Sequence, residues 1–327
     1  MFALFILAIV ASVAVAHIHE RVYYEEKFFN WMKQHKMRAK GGKHFVDMLR
    51  NFADNDDFIA QHNADRKHSY TLGHNRFSHL SNAEYQEFLR LREVESRAKA
   101  KNIHKKTGDV PDEKDWTKEG AVTDVKDQGQ CGSCWAFSTT GSLEGALYLK
   151  SGRLESLSEQ QFVDCDDVDH GCDGGLMDQA FQWAHDYGGV AREGDYPYKA
   201  IQGTCDTKVK SIPAAAPQSF TDVEPDSVDA MSSAIAQQPV SIAIDAGRLT
   251  FQLYEKGVYD DPACGTRLNH GVLAVGYGNS NGKDFFKVKN SWGPYWGDHG
   301  YILLAKGGDV NEKGQCGMLQ MGSYPNL

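Results

Sequence analysis

The rhythm of apolar positions changes three times along this chain. Residues 2–16 are apolar or small and carry no charge. A run of about 15 is too short to span a bilayer, and Ala14-Val15-Ala16 offers a small-x-small cleavage site. The pattern therefore predicts a signal peptide over 1–16, although its usual basic leader is missing. Residues 17–40 set Tyr23, Tyr24, Phe28, Phe29 and Trp31 among Lys and Arg at helical spacing, predicting a helix that Gly41-Gly42 breaks. Phe45, Leu49, Phe52 and Ile59 then recur at intervals of 4, 3 and 7, the stripe of an amphipathic helix. Residues 91–109 are rich in Arg, Lys and Glu without an aromatic, and read as an exposed linker.

From residue 110 the pattern is that of an enzyme-sized body. Helices are expected from 134 to about 151 with Gly152 as the stop, over 158–163, and over 176–187 before Gly188-Gly189. Further on, 240–244, 271–277, 284–289 and 301–304 are β-rich runs bounded by Gly, Asn or Asp. The expected class is α+β: a helical lobe and a β-rich, barrel-like lobe sharing a cleft, preceded by a mostly helical segment. The divisions are 1–16, 17–109 and 110–327.

Charge separates the same parts. Of the 327 residues, 17–109 hold 18 Lys/Arg against 13 Asp/Glu, a net of +5, while the remainder carries −14 of the overall −9. Nine of the 13 histidines precede residue 110. A basic segment joined to an acidic body suggests mutual attraction, though both could be plain solvated surfaces. The acidic body argues against nucleic acid as a partner.

All seven cysteines follow residue 130: Cys131, Cys134, Cys165, Cys172, Cys205, Cys264 and Cys316. An odd count in a secreted chain leaves one free thiol, and the other six can pair in about 15 ways. Cys131 and Cys134 lie in Gln128-Gly129-Gln130-Cys131-Gly132-Ser133-Cys134-Trp135-Ala136-Phe137-Ser138, a Gly-rich turn that opens a helix. A thiol at a helix N-terminus is biased toward thiolate by the macrodipole. His270, in Leu268-Asn269-His270-Gly271, lies 136 residues beyond Cys134; Asn290, in Lys289-Asn290-Ser291-Trp292-Gly293, lies 156 beyond it. Taken singly, each has a plain structural reading: a bridge half, a core imidazole, a turn amide, a core indole. Metal chemistry is disfavoured, because Cys131-x2-Cys134 has no second pair at zinc-finger spacing and no His-Glu-x-x-His occurs. No cofactor is expected. A thioredoxin-like role lacks the βαβ surroundings it needs.

Together these motifs resemble the papain family of cysteine proteases, and its cathepsin L-like branch most closely. The Cys-Gly-Ser-Cys-Trp run, with His and Asn about 130–150 residues downstream, is that family's signature. Phe52, Asn55, Ile59 and Asn63 fit the last four positions of its prosegment motif, with His44 and Met48 where Glu and Arg stand. Gly73-x-Asn75-x-Phe77-x-His79 resembles a second motif, with His in place of Asp. Those departures put the usual prosegment ion pairs in doubt. They motivate the hypothesis that prosegment histidines such as His79 titrate instead, near about 6.5.

The resemblance implies a zymogen whose own prosegment is an intramolecular inhibitor, and a mature chain starting near Val110-Pro111-Asp112. It implies bridges Cys131–Cys172, Cys165–Cys205 and Cys264–Cys316, leaving Cys134 as nucleophile. His270 would move the proton, Asn290 would orient the ring, Gln128 would face the oxyanion and Trp292 would shield the His–Asn bond. Gly174 and Gly175 would offer bare backbone to an extended substrate. Leu176, Met177, Ala243, Gly271 and Met321 would form an apolar S2 pocket, shallower than usual because Met321 replaces a smaller residue. Asn269 stands where many relatives have Asp, removing one group that favours a protonated His270. No counterpart of an occluding loop is present, which points to endopeptidase action. Expected partners are protein or peptide substrates and cystatin-like inhibitors, for a monomer free of nucleic acid and, after signal cleavage, of membrane. Expected locations are the secretory pathway with a lysosome-like compartment or the extracellular space. The rival from another class is a catalytically silent homologue that binds or inhibits.

Overall fold

The structure is a computed structural model and describes residues 17–89, 100–307 and 312–327. The expected signal peptide lies outside the described residues. Two helices open the N-terminal segment, α1 (Arg21–Gln34) and α2 (Gly42–Ala64), followed by β1 (Tyr70–Leu72), α3 (Asn82–Phe88) and β2 (Asn102–His104). They pack through an aromatic cluster in which Phe28, Trp31, Met48 and Phe52 are buried. Met48 thus contributes volume where the family motif has a charge. α1 ends at Gln34 rather than at the predicted Gly41-Gly42. Lys36 turns left-handed at φ 53°, and the Met37 N–H returns to the Met32 carbonyl at 2.9 Å. Ser81 closes a capping box with Glu84, which fixes the start of α3.

The body begins with β3 (Lys114–Asp115). Its helical lobe holds α4 (Cys134–Ser151), α5 (Glu159–Cys165) and α6 (Met177–Tyr187). Left-handed Gly152 and Gly188 end α4 and α6, as predicted, while the Ser158 hydroxyl caps α5. The remaining elements are β4 (Ser219–Val223), α7 (Val228–Gln237), β5 (Val240–Ile244), α8 (Leu249–Gln252), β6 (Tyr254–Tyr259), β7 (His270–Ser280), β8 (Lys283–Lys289), β9 (Tyr301–Ala305) and β10 (Gly322–Asn326). Most residues of α4 are buried, so its buried positions are apolar or small except Glu144, whose carboxylate accepts from Thr123 and Lys126. A Cβ at Gly141 would lie 2.7 Å from Leu273, and one at Gly145 would lie 2.6 Å from Pro239. Only glycine lets α4 sit this close to the β lobe, and that closeness sets the cleft.

One sheet unites both parts, in the order β1-β6-β9-β8-β7-β5-β10-β4-β2, with β3 added to β7. The N-terminal segment supplies both ends: β1 runs antiparallel to β6 and β2 parallel to β4. The predicted exposed linker is therefore corrected at β2. There the backbone pairs with β4, and buried His104 bonds the Tyr324 hydroxyl at 2.9 Å and the Ser233 hydroxyl at 3.1 Å. The expected linker's residues 91–99 lie outside the described residues.

Three bridges join Cys131–Cys172, Cys165–Cys205 and Cys264–Cys316, and Cys134 is free and buried. Among the described residues, no helix is long and apolar enough to cross a membrane.

Candidate active site

Cys134 is the first residue of α4, and its position follows from the turn before it. Gly129 adopts φ 63°, and the bridge from Cys131 to Cys172 anchors the turn. The Gly132 N–H also donates to the Cys172 carbonyl at 2.9 Å. Across the cleft, β5 and β7 are registered so that Ala243 faces Gly271 and Ile244 faces His270. The Gly271 N–H donates to the Cys134 sulfur at 3.4 Å, tying the helical lobe to the strand that begins at His270. A Cβ on Gly271 would meet the Met177 sulfur at 3.2 Å and the Cys134 and Trp135 backbone at 3.3–3.4 Å.

The His270 Nε2 and Asn290 Oδ1 lie 2.8 Å apart. Trp292 stacks on the imidazole at 4.5 Å between centroids and 23° between planes. The Gln128 Nε2 donates to the Cys131 carbonyl at 3.0 Å, and Gln128 Oε1 accepts from Ser291 Oγ at 2.7 Å. Ser291 is a positioning partner that sequence reading passed over, although it directly follows Asn290. Burial pushes the Cys134 thiol up to about 11, against bonds from the Gly271 and Trp135 backbone that lower it. Burial likewise pushes His270 down to about 4, opposed by its bond to Asn290. In this covered state burial thus shifts both groups toward their neutral forms.

The cover is the N-terminal segment. Phe77, Tyr85 and Phe88 meet the Trp292 ring edge-on at 5.0, 5.9 and 6.1 Å. The Tyr85 hydroxyl donates to the Ala246 carbonyl at 2.8 Å, and Asn75 Nδ2 donates to the Gln252 carbonyl at 2.8 Å. Gln252 Nε2 answers by donating to the Phe77 and Leu80 carbonyls at 3.2 and 3.1 Å. Arg76 pairs with Asp127, one residue before Gln128. Inside the segment, Asp56 takes both Lys27 and His74, while Asp57 accepts the Tyr24 hydroxyl at 2.5 Å. These groups supply the ionic contacts that His44 and Met48 cannot. His79 does not titrate near 6.5: burial pushes it down to about 4.

Leu176, Met177, Ala243 and Met321 belong to one buried cluster, with Leu268 packed against it. The Ala243 N–H donates to the Met321 carbonyl at 3.1 Å. Gly174 has φ 108°, and its carbonyl accepts from the His170 N–H at 2.9 Å. A Cβ on Gly175 would strike Trp135 and the Asp169 carboxyl at 2.6 and 2.7 Å. Asn269 turns away from His270. Its Nδ2 donates to Asp245 Oδ1 at 3.0 Å and its Oδ1 accepts from the Ala246 N–H at 2.8 Å. Among the described residues, no group of three or more His, Cys, Asp or Glu could hold a metal.

Residues 110–326 match the family described as papain family cysteine protease, and residues 28–85 match the cathepsin propeptide inhibitor domain. The chain belongs to the papain family and carries its own propeptide inhibitor domain. It is 46% identical to the probable cysteine protease RD21B of Arabidopsis thaliana over 303 residues, 90% of this chain and 65% of that protein. It thus spans about two thirds of that plant relative's length. Cysteine proteinase 3 of Dictyostelium discoideum is 40% identical, with 99% of this chain and 97% of that one aligned. Among solved structures, a recombinant stem bromelain precursor superposes with a TM-score of 0.84 at 37% identity, covering 93% of this chain and 99% of that one. Digestive procathepsin L 3 of Tenebrio molitor larval midgut gives 0.82 at 36% identity, with the same coverage.

Proposed function

We propose that this chain is a cysteine endopeptidase made as an inactive preproenzyme. Residues 1–16 are removed in the secretory pathway, 17–109 form the inhibitory prosegment, and 110–327 form the mature enzyme. The observation that carries the reading is the 2.8 Å His270–Asn290 bond beside a free thiol at a helix N-terminus. Cys134 attacks the scissile carbonyl as thiolate, and His270 takes its proton and returns it to the leaving amine. Asn290 holds one ring nitrogen, so the other faces the cleft. Gln128 gives up its bond to Cys131 and donates, with the Cys134 backbone N–H, to the oxyanion.

Removal of the prosegment lets water into the cleft, which lowers the desolvation that now favours neutral thiol and imidazole. The Gly174–Gly175 backbone pairs with an extended peptide, and Leu176, Met177, Ala243, Gly271 and Met321 accept an apolar P2 side chain. A monomer open to cystatin-like inhibitors, in a lysosome-like compartment or outside the cell, completes the reading; the three bridges suit either place. The test is acid treatment of the purified proform followed by a peptidyl epoxide and a fluorogenic peptide. Stoichiometric labelling at Cys134 with concurrent peptide hydrolysis is expected. An unlabelled thiol, with no hydrolysis, overturns the proposal in favour of a silent homologue.

A further inference from the structure

A groove of about 520 Å³ opens on the helical lobe, and among the described residues none of the N-terminal segment lines it. Leu154, 39% exposed, stands at its mouth. Phe137 and Tyr198, edge to face at 4.8 Å, form one wall. Glu159, 0% exposed, and half-buried Glu193 lie deeper. Lys126 uses all three of its ammonium donors, on Glu144 Oε1 at 2.9 Å, Glu159 Oε1 at 2.6 Å and the Leu157 carbonyl at 3.0 Å. Thr140 Oγ1 also donates to Glu159 Oε1, at 2.6 Å. Glu144 is completed by Thr123 Oγ1 at 2.7 Å and the Leu157 N–H at 2.9 Å. Lys289 Nζ donates to the Thr123 carbonyl and hydroxyl at 2.7 and 3.0 Å. The Tyr198 N–H donates to Glu193 Oε1 at 2.8 Å. Two acceptors remain, Glu159 Oε2 and Glu193 Oε2, both buried with no donor to bond. Three carboxylates thus stand against two ammonium groups, with Asp124 and the Arg76-paired Asp127 adding negative charge at the rim.

We propose that this groove binds an organic cation, a guanidinium or primary ammonium carried on a short apolar stem. Buried acceptors without donors are costly, and a positively charged group with several N–H bonds is the chemistry that completes them. A guanidinium suits them best, because its planar fork can reach two oxygens at once. The Phe137–Tyr198 wall takes the stem and the face of the cation. A metal ion is the weaker candidate, since no group of three His, Cys, Asp or Glu gathers for one among the described residues. Burial pushes the Glu159 carboxyl up to about 6; Lys126 opposes that rise and Glu144 adds to it. Burial also raises Glu193, against the Tyr198 N–H and Lys126. The cation needs ionised carboxylates, so it is held as pH rises through about 6 and shed in acid. The Tyr198 hydroxyl donates to the Gln128 carbonyl at 2.8 Å and lies 2.6 Å from Ser133 Oγ, so the groove wall is continuous with the turn that carries Cys134.

The test uses the full-length Cys134→Ala proform, whose cleft is covered and whose nucleophile is gone, so the result does not depend on the protease reading. Agmatine, Nα-acetyl-argininamide and the neutral control n-butylurea are titrated into it calorimetrically at about pH 7.5 and about pH 5, on either side of the Glu159 value. Saturable one-to-one binding of a guanidinium probe is expected at the higher pH, weaker by about tenfold at the lower, with no binding of n-butylurea. The tighter of the two cations tells whether a free diamine-like ligand or an arginine side chain is the better fit. Glu193→Gln removes one acceptor charge and should weaken binding by about tenfold or more. Leu154→Arg should do the same by setting a competing cation at the exposed mouth, and it leaves both buried carboxylates in place should Glu193→Gln fail to fold. Absence of saturable binding up to about 10 mM overturns the proposal. So does binding that both variants leave unchanged, or equal binding of n-butylurea.

Discussion

His79 gives the most direct test of how acid releases the prosegment. Its ring lies 5.2 Å from Trp31, and its Nδ1 is buried without a partner. Burial is the main cause that pushes it down to about 4; His44 adds to the lowering, while a backbone contact at Arg76 and the Glu84 carboxylate oppose it. In the released, unfolded prosegment the ring should titrate near about 6.5. Between these values the unfolded state binds more protons, so stability of the docked segment is full above about pH 6.5 and falls as pH drops toward 4. Going from pH 7 to pH 5, the loss comes to about 2 kcal/mol, or about 30-fold in the docking equilibrium. This is a ceiling, because solvent still reaches part of the ring. His79→Asn is neutral throughout and should move the onset of self-processing to lower pH. His35, His62 and His104 are also lowered by burial, so some acid response should remain. The assay is a pH series of processing by the purified proform, read on gels. It is paired with thermal unfolding of a non-processing Cys134→Ala proform, with and without His79→Asn. An unchanged processing midpoint and an unchanged slope of Tm against pH would refute the assignment.

Two further substitutions probe the mature cleft. Gln128→Ala should lower kcat by about 10²–10³ with little change in KM, because the amide acts on charge that develops only in the transition state. A loss under tenfold in steady-state peptide hydrolysis would remove Gln128 from the oxyanion site. Met321→Ala should deepen the apolar cluster of Leu176, Met177 and Ala243 and raise kcat/KM for P2 Phe relative to P2 Leu. An unchanged ratio on a matched substrate pair would show that Met321 does not form the floor.

Strong local signals were legible in the chain and weak ones were not. α4 begins at Cys134 and ends at Gly152 because the Gly-rich turn and the left-handed glycine are both written locally. β5 matches the predicted 240–244 for the same kind of reason, a continuous apolar run. β1, β2 and β10 escaped notice because short strands owe their existence to partners far away in sequence. β10 even contains Pro325, a residue that argues against an interior strand. β5 pairs only with Gly322 and Ser323, so Pro325 lies past the end of that ladder. At the site, the motif pointed to Cys134, His270 and Asn290, while periodicity alone gave none of them. Ser291 was hidden because its bond to Gln128 joins positions far apart in sequence, which leaves no trace in local composition.

The inhibitory segment also finishes the sheet, since β1 covers the outer side of β6 and β2 covers the outer side of β4. Release of residues 17–109, as proposed, would therefore uncover two rows of backbone donors and acceptors as well as the cleft. Any extended peptide nearby, including the fragments just cut away, then finds a template for adding a strand at either margin. An enzyme released by the proposed cleavage near Val110 would therefore present two adhesive strand margins besides its cleft.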